Sequence, residues 1–112
     1  MAQTKLRWVY MTTESVEEAR KIGRMLVEKR LAACVNIIEN MTSMFWWEGE
    51  VQDGSETVLI AKTQAERMSA LVEAVKAVHS YSCPCVVALP IEEGNPDFLE
   101  WIREETAAGH QG

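Results

Sequence analysis

Apolar positions along the chain change period several times, and each change marks an element. Leu6 to Thr12 is a short aromatic and β-branched run closed by the polar cluster Thr12-Thr13-Glu14-Ser15, which predicts a first strand. Val16, Ala19, Ile22, Gly23, Leu26 and Val27 then recur at helical spacing up to about Lys29. Ser15 and Glu18 stand in capping-box register at the start of that helix. Ala33 to Glu48 reads as extended throughout, with Cys34-Val35-Asn36-Ile37-Ile38 followed by Ser43-Met44-Phe45-Trp46-Trp47. Strands usually run about 5 to 6 residues. This segment therefore predicts either two strands broken near Asn40 or one long, bent strand projecting beyond its own domain.

Gly49 to Gly54, with Asp53-Gly54 as the turn signal, leads into Glu56 to Lys62, a hairpin partner that is apolar on both faces and so expected at the centre of a sheet. Thr63 and Glu66 have the spacing of a second capping box, before a stripe of Met68, Leu71, Val72, Val75, Val78 and His79 on a second helix. Pro84 opens a last strand, Cys85 to Leu89, and Pro90 lies just past it. Asn95 as N-cap and Pro96 at the first helical position begin a third helix with Phe98, Trp101 and Ile102 on its apolar side, and the tail over 106–112 is expected to fray. The order β-α-β-β-α-β with an appended helix predicts an α+β, ferredoxin-like antiparallel sheet in one domain spanning 1–112. That fold hosts many functions and decides none.

Composition narrows the function. With 112 residues, 47% of them hydrophobic, the chain can build one core and no second domain. Seventeen acidic against eleven basic residues give a net charge of −6, which repels nucleic acid and anionic membranes. No apolar run approaches the roughly 20 residues of a bilayer span, and no secretory h-region is visible, so a cytoplasmic location is expected. Three cysteines, Cys34, Cys83 and Cys85, then read as free thiols, with Cys34 in the core.

Several segments together resemble the CutA family of divalent-cation tolerance proteins. They are Arg30-Leu31-Ala32-Ala33-Cys34-Val35-Asn36, Trp47-Glu48-Gly49, Glu56 with Lys62-Thr63, His79 with Tyr81 and Pro84, and Trp101-Ile102. The resemblance implies a homotrimer linked to tolerance of divalent metals, notably copper, and similar in architecture to trimeric PII signalling proteins. No cofactor is implied as obligatory; copper or another divalent ion is the implied guest. Family members typically carry proline where Ser80 stands and a carboxylate where Cys85 stands, so any role of that acid is in doubt here and two thiols are added.

Candidate chemistry follows from residue types. Cys83 and Cys85 could chelate Cu(I) or contribute to a zinc site, with His79 supplying imidazole. The alternative for the cysteines is ordinary small buried thiols, and for His79 a packed histidine near a helix C-terminus. Trp47, Glu56, Lys62 and Tyr81 fall at strand ends, where they would form a ligand cleft or a structural ion pair with aromatic packing. Acylphosphatase chemistry on this fold needs an arginine in the loop after the first strand, and Thr12-Thr13-Glu14-Ser15 has none; no other catalytic motif is present, so an enzyme is not expected. The expected partners are metal ions and further copies of the chain. The competing expectation is a PII-like sensor or scaffold whose inter-subunit clefts bind a small anionic metabolite or a partner protein.

Overall fold

The computed structural model describes residues 5–108. Four strands, β1 (Leu6–Thr13), β2 (Cys34–Trp47), β3 (Glu50–Gln64) and β4 (Val86–Ile91), form one antiparallel sheet in the order β2-β3-β1-β4. Helices α1 (Val16–Glu28) and α2 (Met68–Val78) follow β1 and β3, and α3 (Pro96–Glu105) follows β4. This is the ferredoxin-like order with an added helix. Period-2 alternation puts Val9 and Met11 of β1 and Leu59 and Ala61 of β3 on one face, where they pack with Ile22 and Leu26 of α1 and Leu71 and Val75 of α2. Each of these side chains is at most 1% exposed, and burial contributes on the order of 1.5–3 kcal/mol for each of the larger ones. Ile102 of α3 closes a smaller cluster with Leu6 and Ala33.

The alternate face of the sheet carries neither α1 nor α2, and α3 covers only its end, where Leu6 and Ile91 meet Leu99 and Ile102. Trp8 and Tyr10 stack on this face with ring centroids 6.3 Å apart. Around them, Ile38, Val87 and Leu89 are all more than half exposed. Cys34, expected in the core, stands on this face beside Lys62, whose Nζ lies 3.8 Å from its sulfur.

The long extended segment is a single strand with a bend. Asn40 adopts φ 61°, and the pairing with β3 shifts between Ile38 and Met41, so one extra residue forms a β-bulge. The turn falls at Glu48-Gly49, both with positive φ (51° and 80°), as a two-residue hairpin loop requires. Asp53 and Gly54 are not the turn. That loop fixes the register and places them inside β3, opposite Met44 and Ser43. Because β1 pairs with β3 only from Thr57 onward, the stretch from Met41 to Glu56 leaves the sheet as a two-stranded ribbon, and the molecule measures 49 × 26 × 22 Å.

Four further expectations change. Thr63 does not cap α2: it belongs to β3, its buried hydroxyl has no partner, and α2 is entered through a 3-10 turn at Ala65–Arg67 with no side-chain cap. Pro90 lies within β4 rather than past it, which is allowed because β4 is an edge strand and a missing N–H costs nothing on the open side. Phe98 and Trp101 lie against each other on the surface, 42% and 37% exposed, leaving Ile102 to anchor α3. Thr106 is fully buried rather than frayed, its hydroxyl bonded to Ile102 O and to Gln64 Nε2. Residues 109–112 lie outside the described residues.

Candidate functional site

A cleft of about 670 Å³ opens between one side of the ribbon, along most of its length, the end of β1 and the loop 79–85 that joins α2 to β4. That volume suits a small ligand. Of the residues singled out from sequence, Trp47, Glu56, Tyr81, Cys83 and Cys85 line it. Lys62 does not: its ammonium bonds Asn36 Oδ1 on the face of the sheet opposite α1 and α2.

Glu56 organises the polar side. Its Oε1 accepts the Ser43 hydroxyl at 2.5 Å and its Oε2 accepts the Tyr81 hydroxyl at 2.8 Å. The ladder brings Ser43 to Glu56, since β2 and β3 are paired there, whereas Tyr81 arrives from a loop 25 residues further along the chain. Burial, the bond to Glu56 and the negative field of Glu56, Glu14 and Glu18 push the Tyr81 phenol well above its ordinary range, so it remains a donor. Burial and Glu56 likewise raise the Cys85 thiol. A metal binding there must displace a proton.

His79 sits at the end of α2 with its side chain fully buried. Its Nδ1 accepts the Tyr81 backbone N–H at 3.0 Å, so the proton is on Nε2, which donates to Thr12 O at 2.9 Å. Both nitrogens are thus engaged with the protein. Among the described residues no group of three or more His, Cys, Asp or Glu side chains is arranged to hold a metal ion. The expected set of His79, Cys83 and Cys85 is therefore not assembled; the exposed Cys83 and half-buried Cys85 share the cleft without the imidazole.

Sequence reasoning missed Thr12, Ser43, Phe45 and Gln52 in the lining, as well as Met44, Ser55 and Ser82. Phe45 and Trp47 could have been paired by their i, i+2 spacing on one strand face; the others carry no local signal. Taken together, the ionisable groups of the lining are Glu56, Tyr81, Cys83 and Cys85, all acids, with no lysine, arginine or histidine among them.

Residues 7–105 match the family described as CutA1 divalent ion tolerance protein. The chain belongs to the CutA1 family. This CutA1-family chain is 47% identical over 97 residues to the divalent-cation tolerance protein CutA of Archaeoglobus fulgidus, covering 87% of this chain and 94% of that protein. The solved divalent cation tolerance protein of Thermus thermophilus superposes with a TM-score of 0.89 at 48% identity, covering 91% of this chain and 99% of that one. CutA1 from Oryza sativa gives 0.91 at 40% identity, covering 95% and 97%. The solved Archaeoglobus fulgidus CutA is described as periplasmic. No helix among the described residues of this CutA1-family chain is long and apolar enough to cross a membrane.

Proposed function

We propose that this chain serves divalent-cation tolerance as a cytoplasmic homotrimer whose cleft takes up a soft metal ion, copper in its monovalent state, on Cys83 and Cys85. The observation that carries this reading is the lining itself: two thiols and a carboxylate share one cleft with no cationic side chain. Thiolates select Cu(I) over harder ions, and two of them with a nearby thioether such as Met44 are an adequate set for it. The free thiols fit a reducing compartment. Self-association is supported by the ribbon, because an isolated two-stranded hairpin is marginal in water and this one exposes Met44, Trp46 and Val51 by 60% or more. A neighbour's sheet would cover those side chains and the open backbone groups, and a head-to-tail contact of that kind closes into a ring.

Competitive chelator titration with Cu(I) tests the site: C83S/C85S should weaken binding by about tenfold or more. Unchanged affinity sinks the two-thiol site. A second reading, the PII-like sensor, is favoured by the size of the cleft, which exceeds what one ion fills, and by its aromatic walls Phe45, Trp47 and Tyr81. The all-acid lining turns that reading away from an anionic metabolite and toward a cationic or neutral one. A small molecule retained in native mass spectra of metal-free protein would favour it over the first.

A further inference from the structure

Glu18 lies in the first turn of α1 and does not line the cleft, yet it grips the end of the loop that does. Its Oε2 accepts the Ser80 backbone N–H at 2.7 Å, and its Oε1 accepts the Ser80 hydroxyl at 3.0 Å. The same Oε1 accepts the Glu14 N–H at 3.1 Å, which braces the carboxylate against its own helix. The side chain is only 14% exposed, so water competes weakly for these bonds. Hydrogen bonds to a carboxylate are roughly twice as strong as neutral ones. Beyond Ser80 the loop carries Tyr81, Cys83 and Cys85 before β4 begins at Val86.

We propose that Glu18 is a positioning residue for the cleft: by clasping Ser80 through both its backbone N–H and its hydroxyl, it sets where Cys83 and Cys85 stand opposite Glu56. The thiol wall is thereby fixed from α1, outside the cavity. This inference rests on the reading of the cleft as the functional site. A further geometric fact supplies its control. His79 has φ −75° and ψ 143°, the conformation a residue takes before proline. S80P therefore asks no new conformation of His79; it removes the clasped N–H and hydroxyl and restrains the backbone by its ring instead.

The test is the alkylation rate of each cysteine in the full chain by iodoacetamide, read by mass spectrometry across pH, with Cys34 as internal reference. In wild type, Cys85 should react slowly, because burial and Glu56 disfavour its thiolate. In E18A, loss of the clasp should release it, raising its rate by about tenfold and moving the midpoint of its pH–rate profile down toward that of an ordinary thiol, while Cys34 is unchanged. E18Q, with one acceptor oxygen in place of two, should fall between. E18A/S80P should return to the wild-type rate. An unchanged Cys85 profile in E18A, equal acceleration of Cys34, or failure of S80P to restore slow reaction would each overturn the proposal. If C83S/C85S leaves Cu(I) affinity intact while E18A still releases Cys85, the metal reading fails and the positioning role stands.

Discussion

Replacing Trp46 by glutamate should take the proposed trimer apart while leaving the subunit folded. Trp46 sits near the tip of the ribbon, paired with Val51, and is 74% exposed in the single chain. A tryptophan side chain offers up to about 250 Å². Burying three quarters of that against a neighbour, at about 25 cal/mol per Å², is worth roughly 4–5 kcal/mol per contact as an upper bound. A loss of that size raises a dissociation constant by about a thousandfold, and the charge adds a desolvation cost of its own. Trp46 touches neither core cluster, so the far-UV circular dichroism of W46E should match wild type. Sedimentation velocity at low micromolar concentration is the assay: wild type should give three times 12.6 kDa, and W46E 12.6 kDa. An associated W46E, or a wild type that is already monomeric, would refute the reasoning and with it any site completed by a neighbouring subunit.

Two further outcomes follow from the packing and the charge. A Cβ at Gly23 would lie 3.0 Å from Val35 Cγ2 and 3.3 Å from Leu59 Cδ1, so G23A sets an overpacking cost of about 1–3 kcal/mol against a helix-propensity gain of about 1 kcal/mol; urea unfolding should show a net loss of about 1 kcal/mol, and a stabilised variant would contradict the close approach of α1 to the sheet. Burial raises the Glu18 carboxyl, but the bonds from Glu14 N–H and from Ser80 outweigh it and hold the group below its ordinary value of about 4.5. A lowered native pKa stabilises above the unfolded value and the benefit is lost as pH falls through the folded one. Wild type should therefore lose stability on acidification below about pH 4.5 more steeply than E18Q, and parallel acid limbs in the two melts would argue against the clasp.

Much of the fold was legible because its signals are local. The 3.6-residue spacing of Ala19, Ile22 and Leu26, the cap at Ser15, Asn95 before Pro96, and the aromatic and β-branched run of β1 each depend on neighbours a few residues apart, and each survives in the structure. Even so, half of one local motif was redirected. Ser15 caps the Glu18 N–H as a capping box requires, but the Glu18 side chain reaches back only to Glu14 N–H and otherwise turns outward to Ser80, 62 residues away. A competing partner delivered by the tertiary fold gave that carboxylate more bonds than its own helix could.

The element order, the antiparallel α+β class, the excess length of β2 and the acidic, thiol-bearing character of the chain are all written in its residues before any folding. Where the hairpin turns was decided by pairing: a two-residue loop at Glu48-Gly49 satisfies the whole ladder, and Asp53-Gly54, a good turn in isolation, becomes strand. The same holds for the site. His79, Cys83 and Cys85 are neighbours in sequence, but the imidazole is held by the local Tyr81 N–H on one nitrogen and on the other by Thr12 O, a group that only the folded chain brings to it. The cleft gathers residue 12, residues 43–56 and the loop after α2, and no window of sequence contains them together. Hydrophobic period and capping are short-range properties that a chain carries before it folds; which polar atom meets which, and what remains free to bind, is settled only when distant strands and loops close on one another.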